Sequence, residues 1–184
     1  MNVSTRQKID LLNEDLGQPC PEGRLSRPTK MFQGRHIVDI SAYTPYFLSA
    51  VNNALSRGAS QYYLKKFGIG IVEWRVVSML AIEPEIRARR ICEVVALDKS
   101  GTSRALKRLL ELKHVSFEAS KRDSRIRVWR LNEQGYALHD KILLEALERE
   151  RTLITGVDPA DLEIFLKVIR QMRRNVEKLE SRDD

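Results

Sequence analysis

Three short helical patterns followed directly by a hairpin pattern limit the fold of this chain more than any other feature. Apolar residues recur at steps of three and four, as on amphipathic helices, over residues 72–82, 87–96 and 101–113. Two segments with alternating apolar and polar side chains, 115–119 and 125–131, then flank a stretch of turn composition. The sequence therefore predicts a mostly helical lobe over residues 71–131 that ends in a β-hairpin.

The positive charge of the chain is concentrated in the same lobe. The 184 residues carry a formal net charge of +7, and residues 85–130 hold 13 Lys and Arg against 6 Asp and Glu. This segment accounts for the whole excess, so the rest of the chain is electrically balanced. A localised basic surface most often binds nucleic acid, and a solvated face is the alternative interpretation.

The helix over residues 101–113 places its charge on one side. Its predicted buried side consists of Thr102, Leu106, Leu109 and Leu110. The side chains predicted to stay outside are Ser100, Ser103, Arg104, Lys107, Arg108 and Glu111. Such a helix fits the major groove of DNA, with its N-terminal residues nearest the base edges. Element order and charge together predict a winged helix-turn-helix fold, mostly α-helical with a small β-hairpin wing.

The predicted DNA contacts lie on this helix and on the hairpin. They are Ser100, Gly101, Thr102, Ser103, Arg104, Lys107 and Arg108 on the helix, and Lys121, Arg122 and Arg125 at the hairpin tip. Arg104 is placed to bind a guanine or a phosphate, and the hairpin tip suits the adjacent minor groove. The arginines for which a phosphate contact and a solvated face are both open are Arg87, Arg89, Arg90, Arg127 and Arg130.

At these residues the chain resembles the MarR family of bacterial transcriptional regulators, and the resemblance covers about residues 44–179. The motifs that carry it are Glu73-Trp74-Arg75-Val76, Leu97-Asp98-Lys99-Ser100 with Ser103-Arg104 and Arg108-Leu109, and Asp123-Ser124-Arg125 with Leu131-Asn132-Glu133-Gln134-Gly135. The chain departs from the family at Gly101 and Asn132, where threonine is common. Gly101 weakens the helix start by up to ~1 kcal/mol, whereas Asn132 caps a helix equally well.

The resemblance implies a homodimer that is joined by its first and last helices and binds double-stranded DNA at a pseudo-palindromic operator. It also implies that Arg125 contacts the minor groove and that Asp123 orients it. Many members of the family release DNA on binding small aromatic acids. We therefore expect a homodimeric repressor that such an acid releases from its operator.

The chain is accordingly predicted to have four segments. They are an N-terminal arm (1–38), an N-terminal dimerisation helix (39–70), the winged helix-turn-helix lobe (71–131) and C-terminal dimerisation helices (132–184). Helix starts are predicted at Thr44-Pro45, Asn132 and Asp158-Pro159, and a short helix is predicted over residues 4–16 of the arm.

A pocket for the acid is expected between the dimerisation helices and the winged lobe. Its candidate residues are Tyr43, Tyr46, Trp74 and Arg75, because stacking rings and one arginine suit an aromatic carboxylate. The alternative is that Trp74 and Arg75 only pack in the core. Regulation by oxidation is a further alternative, which would use Cys20 in the proline-rich arm or Cys92, expected to be a small buried hydrophobe.

Other classes of protein find little support in the sequence. It contains no phosphate loop, metal-ligand spacing or nucleophile motif, so we expect neither an enzyme nor a cofactor. Long apolar runs and a secretory signal are absent, which predicts a cytoplasmic protein without a membrane span. A winged helix used only for protein–protein contact is the remaining alternative, although it would not need this concentration of basic residues.

Overall fold

Six helices and five strands form the described part of the chain, residues 26–120 and 123–183 of this computed structural model. The helices are α1 (Thr44–Phe67), α2 (Ile71–Ile82), α3 (Ala88–Val95), α4 (Lys99–Glu111), α5 (Glu133–Leu153) and α6 (Pro159–Asp183). The strands are β1 (Thr29–Phe32), β2 (Arg35–Val38), β3 (Ile86–Arg87), β4 (Val115–Ser120) and β5 (Asp123–Leu131). The chain divides into two compact units, Met1–Ile71 and Val72–Asp184. The helix predicted over residues 4–16 lies outside the described residues.

The first unit contains a β-hairpin that no sequence pattern indicated. Strands β1 and β2 pair antiparallel, with Thr29 opposite Val38. Gln33 and Gly34 join them with φ angles of 49° and 72°, as the central residues of a type I′ turn require. Part of the predicted arm is therefore regular structure. It escaped detection because each face of the hairpin mixes apolar and polar side chains, so the sequence does not alternate.

Helix α1 follows the hairpin and differs from its prediction at the first residue. Its N-cap is Tyr43, which makes no side-chain capping hydrogen bond, so Thr44 is the first helical residue rather than the cap. Pro45 lies in the first turn, where its missing N–H group is tolerated. Gly68 ends the helix at a φ of 74°, a left-handed conformation that favours glycine.

The second unit contains the predicted winged helix-turn-helix. Strands β3, β5 and β4 form an antiparallel sheet in that order. Val115 lies opposite Leu131, so β4 and β5 form the predicted hairpin. Strand β3 was not predicted, and it places Arg87 opposite Val128. The predicted fold class, mostly α-helical with a small hairpin wing, is confirmed.

The core of this unit fixes α4 against the hairpin. Its buried apolar residues from α2, α3, α4 and the sheet are Val76, Val77, Met79, Leu80, Ile91, Ala105, Leu106, Leu109, Val115, Trp129 and Leu131. The rings of Phe117 and Trp129 pack with their centroids 4.9 Å apart. Because both α4 and the sheet bury side chains here, neither can shift without exposing apolar surface to water.

A close backbone contact ties the start of α5 to the chain that follows α4. The side-chain oxygen of Asn132, the N-cap residue of α5, accepts a hydrogen bond from the Gly135 N–H at 2.9 Å. Its side-chain amide donates to the carbonyl of Lys113 at 2.8 Å. A Cβ atom at Gly135 would stand 2.1 Å from the carbonyl oxygen of His114. Only glycine permits this approach, which explains the glycine that ends the third motif.

His114 gives this junction an expected dependence on pH. Its Nδ1 is buried and has no hydrogen-bond partner among the described residues. Burial lowers the pKa of His114 below its usual 6.5, against the opposing effect of a backbone hydrogen bond with Gln134. The unfolded chain therefore binds a proton more readily than the folded chain. We expect the free energy of unfolding to hold its full value above pH 6.5 and to decrease as the pH falls below it.

Urea unfolding between about pH 7.5 and about pH 5 measures this effect. His114→Gln should remove the decrease, whereas His36→Gln in the exposed strand β2 should retain it. The carboxyl groups of Asp39 and Glu83 also have lowered pKa values, so their contributions disappear only at more acid pH. A decrease of the same size in His114→Gln would assign the effect to another group.

Helix α6 exposes an apolar stripe along its length. Asp158 accepts a hydrogen bond from the Ala160 N–H at 2.8 Å, so it caps the helix as predicted. No residue from 159 to 179 is buried. Ile164 and Phe165 are 59% and 54% exposed, and an apolar surface of this extent usually marks a contact with another molecule. None of the helices within residues 26–120 and 123–183 has the length and apolar character needed to cross a membrane.

Candidate DNA-binding surface

Helix α4 has a firmly capped N-terminus with exposed polar residues around it. Asp98 is the N-cap residue and accepts a hydrogen bond from the Gly101 N–H at 2.5 Å. Its capping places the helix start at Lys99, two residues earlier than predicted. One turn on, the guanidinium of Arg104 donates a hydrogen bond to the Ser100 hydroxyl. The cap fixes the direction of this first turn, and both side chains stay exposed.

The two faces of α4 agree with the prediction except at Leu110. Thr102 lies on the buried side as predicted, with an exposure of 0%, so its side chain cannot reach DNA and its prediction as a DNA contact is wrong. Leu110 is 37% exposed rather than buried, and Ala105 occupies the core instead, because Leu110 lies at the edge of the apolar stripe. The residues that lie on the exposed face as predicted are Ser100, Ser103, Arg104, Lys107, Arg108 and Glu111.

An aspartate on the wing holds the neighbouring arginine. The carboxylate of Asp123 accepts hydrogen bonds from the backbone N–H of Arg125 at 2.9 Å and from its Nε at 3.3 Å. The side chain of Arg125 is nevertheless 90% exposed. Asp123 thus has the geometry that an orienting residue requires. Two further predicted contacts, Lys121 and Arg122, lie outside the described residues.

Two arginines of the basic segment are compensated within the chain. Arg130 forms ion pairs with Glu85 at 3.3 Å and with Glu118. Arg90 donates two hydrogen bonds, of 2.9 and 2.7 Å, to the carboxylate of Glu83. Its hydrogen bonding lowers the pKa of Glu83. For these two arginines the structure favours an intramolecular role over a phosphate contact.

The other arginines left open by the sequence differ in their surroundings. The guanidinium of Arg127 lies over the ring of Phe117, 4.3 Å from its centroid. Arg89 pairs with Glu93 at 2.9 Å, but both side chains are largely exposed, so water screens this pair. Within the residues that the structure describes, Arg87 forms no ion pair.

A cleft of about 630 Å³ lies between α4 and β5. The cations that line it are Arg87 from β3, Arg89 from α3, Lys107 from α4, and Arg125 and Arg127 from β5. No carboxylate belongs to its described lining. The cleft joins the exposed face of α4 and the wing into one basic surface. The sequence analysis left the role of Arg87 open, because only pairing with β5 defines the two-residue strand that carries it.

The four predicted effector residues fall in different units. Tyr43 and Tyr46 belong to the first unit and are 39% and 50% exposed. Trp74 and Arg75 belong to the second unit and are half-buried. The Trp74 ring packs against the ring of His139 on α5, with centroids 5.5 Å apart. Trp74 therefore packs against α5, which agrees with the alternative interpretation of this residue. A pocket shared by the four residues stays a prediction.

Cys92 lies in α3, near the start of α4, and is a free thiol. It is partly exposed rather than buried as expected. Its Sγ lies 3.1 Å from the Thr102 hydroxyl and 3.9 Å from the Asp98 carbonyl oxygen. The other candidate for oxidation, Cys20, lies outside the described residues. Within the described residues, no group of three or more His, Cys, Asp or Glu side chains could hold a metal ion.

Comparisons with known proteins agree with this architecture. The sequence profile described as MarR family matches residues 67–126. No curated protein sequence matches the chain. A MarR/EmrR family transcriptional regulator from Acinetobacter sp. ADP1 superposes with a TM-score of 0.72 at 28% identity, over 77% of this chain and 99% of that chain.

Two other solved structures share the fold at lower identity. The PcaV transcriptional regulator from Streptomyces coelicolor, solved in complex with its natural ligand, gives a TM-score of 0.65 at 17% identity over 75% of this chain and 96% of that chain. The MepR–DNA complex from S. aureus gives a TM-score of 0.64 at 16% identity over 72% of this chain and 95% of that chain.

Fold and basic face together define a winged helix-turn-helix protein that binds DNA. The family profile over residues 67–126 and the Acinetobacter structure confirm the resemblance to the MarR family of transcriptional regulators. The prediction of a regulator rather than an enzyme is confirmed by the same comparisons.

Proposed function

We propose that this regulator is a homodimeric repressor that binds a pseudo-palindromic operator and leaves it on binding a small aromatic acid. Each protomer places α4 in the major groove and its wing in the adjacent minor groove. The proposed contacts are Ser100, Gly101, Ser103, Arg104, Lys107 and Arg108 on α4, and Lys121, Arg122, Asp123 and Arg125 on the wing. The protein acts in the cytoplasm, where bacterial DNA is found.

The observation that carries the proposal is the basic face formed by α4 and the wing. The guanidinium of Arg104 lies on the first turns of α4, where a helix comes nearest to base edges. Asp123 holds the exposed Arg125 on the wing, and arginine is favoured in a narrow minor groove. A protein of the same fold, MepR, was solved as a DNA complex.

The exposed apolar stripe of α6 supports the homodimer. A 25-residue helix without a buried residue from 159 to 179 would be poorly stabilised in a single chain. Helix α1 also exposes apolar residues, among them Phe47 at 50% and Val51 at 51%. A second copy would cover such surfaces, which fits the proposed dimerisation segments 39–70 and 132–184. A two-fold dimer also matches the symmetry of a pseudo-palindromic operator.

Support for the acid comes from the residue types and from one protein of the same fold. Tyr43, Tyr46 and Trp74 supply rings, and Arg75 supplies a cation for a carboxylate. PcaV was solved with its natural ligand bound. An acid that is bound more tightly by the DNA-free form would release the operator, because a ligand shifts an equilibrium only through its differential affinity.

The test is a fluorescence anisotropy titration of a labelled duplex taken from the region upstream of the protein's own gene. We expect binding of two protomers per duplex and preference over a random duplex. If six or more phosphates are contacted, affinity should fall about 10³-fold or more between about 50 and 200 mM salt. A panel of aromatic acids should contain one that releases the duplex, and transcription in vitro from this region should decrease when the protein is added.

Each part of the proposal can fail separately. Binding of one protomer per half-site without cooperation, and a monomer in sedimentation, would contradict the dimer. An increase in transcription would contradict the repressor, and no release by any acid would contradict the effector. Equal affinity for the upstream and random duplexes at both salt concentrations would contradict an operator in this region.

A further inference from the structure

We propose that the cleft between α4 and β5 seats the sugar–phosphate backbone of one DNA strand, and that Arg87 binds a phosphate there. The inference rests on the proposed function, which places α4 in the major groove and the wing in the adjacent minor groove. One backbone strand separates two such grooves. That strand has to cross the protein between α4 and the wing, where the cleft lies.

The lining of the cleft suits a polyanion. Five cations from four different elements line it, and its described lining contains no carboxylate. Like charges brought together repel each other, and an anion between them removes the repulsion. The neighbouring cleft beside Arg90 shares Arg87 and Arg89 with this one but differs in its anions, because Glu85 and Glu93 are part of its lining. Most of the positive charge there is therefore balanced within the chain.

Three cations of the cleft, Arg87, Lys107 and Arg127, form no ion pair with any residue of the described ranges. The guanidinium of Arg127 is already engaged by an aromatic ring. Arg89 and Arg125, by contrast, already pair with carboxylates on their own elements. A guanidinium without a partner can donate two parallel hydrogen bonds to phosphate oxygens. Arg87 is therefore the arginine in this cleft most available to a phosphate.

The backbone fixes where Arg87 stands. It lies in β3, opposite Val128 of β5, and the next residue begins α3. A side chain carried by paired backbone is better placed for a contact than one on a loop. The floor of the cleft includes Leu106 and Trp129, which are only 2% and 7% exposed. Such apolar atoms suit the deoxyribose between two phosphates.

Replacing Arg87 with alanine should weaken DNA binding and make the affinity depend less steeply on salt concentration. The slope of log affinity against log salt should become less steep by ~0.9 for each phosphate that is no longer bound. The decrease in affinity should be the same for the operator and a random duplex, because phosphate contacts carry no sequence information. Anisotropy titrations of the full chain at several salt concentrations measure both quantities.

A methylphosphonate scan then locates the contact. Neutral methylphosphonate replaces one phosphate of the operator at a time, and the parent protein should bind less tightly wherever the replaced phosphate is one that it contacts. At the phosphate bound by Arg87, Arg87→Ala should show no further decrease. Arg87→Lys keeps the charge and should restore most of the slope. Arg90→Ala, which removes a guanidinium already bound to Glu83, should behave like the parent.

These measurements separate the inference from the proposed function. If the parent binds DNA but Arg87→Ala has the same slope and the same scan, the inference is wrong and the proposed function stands. If the parent binds no duplex, both are wrong. Thermal unfolding of each variant at one protein concentration verifies that a change in binding does not come from a change in folding.

Discussion

Gly135→Ala is expected to lower the free energy of unfolding by about 3 kcal/mol or more. Alanine normally stabilises a helix relative to glycine, by roughly 0.5–1 kcal/mol. Here the added Cβ would stand 2.1 Å from the carbonyl oxygen of His114 and 3.1 Å from its carbonyl carbon. These are backbone atoms, so they cannot rotate away as a flexible side chain would. The cost of moving the chain should therefore exceed the gain in helix propensity.

Gly101→Ala is the matched control, because both glycines lie three residues after a capping side chain. Around a Cβ at Gly101 the nearest atom is the Asp98 Oδ1, at 3.4 Å, which is ordinary contact. We expect Gly101→Ala to stabilise the protein by up to roughly 1 kcal/mol. Urea unfolding of both variants at one protein concentration checks the pair. Equal free energies of unfolding for Gly135→Ala and the parent would show that the backbone at this contact moves at little cost.

The Gly135 contact also links stability to DNA binding. His114 directly precedes β4, and Asn132 directly follows β5. A displacement at Gly135 would therefore be transmitted to both ends of the hairpin and to the end of α4. Gly135→Ala should bind DNA less tightly although no proposed DNA contact is altered.

The winged lobe could be predicted because its signals are local. Asp98 and Asn132 each cap a helix by accepting a hydrogen bond from the N–H three residues on, and this spacing can be read directly from the chain. Strand β3 could not be predicted in the same way, since its two residues are defined only by pairing with β5. The hairpin of β1 and β2 was missed because neither of its faces is consistently apolar.

Only part of the DNA-binding surface could be predicted from the sequence, because the sequence does not show which arginines are paired with carboxylates. Charge counting locates the basic segment but treats all of its arginines alike. Arg130 pairs with Glu85, 45 residues away, and such a pairing leaves no pattern in the chain. Thr102 shows a second limit, because a small polar side chain at a helix start suits both DNA contact and burial. Its burial was decided by the packing of α4, which places it at 0% exposure.

Arg104→Ala and Arg125→Ala are expected to weaken DNA binding in different ways. Arg104 is proposed to reach a guanine, and removing a bidentate base contact costs about 1–3 kcal/mol of discrimination for each half-site. Arg104→Ala should therefore reduce affinity for the operator far more than for a random duplex. Arg125→Ala should reduce both, and it should make the slope against log salt less steep by ~1 for each phosphate that the variant no longer binds.

Arg130→Ala is the control for these variants. Arg130 lies on the same strand as Arg125, but its guanidinium is paired with Glu85 and Glu118. Replacing Arg130 should therefore change the affinity for the operator and for the random duplex very little. Titration of the three variants against both duplexes gives the ratio of operator to random affinity for each. An unchanged ratio in Arg104→Ala would show that Arg104 does not recognise a base and contacts only the DNA backbone. If neither Arg104→Ala nor Arg125→Ala differed from the parent on either duplex, the proposed face would be wrong, since an exposed arginine on each of its two elements would then contribute nothing to binding.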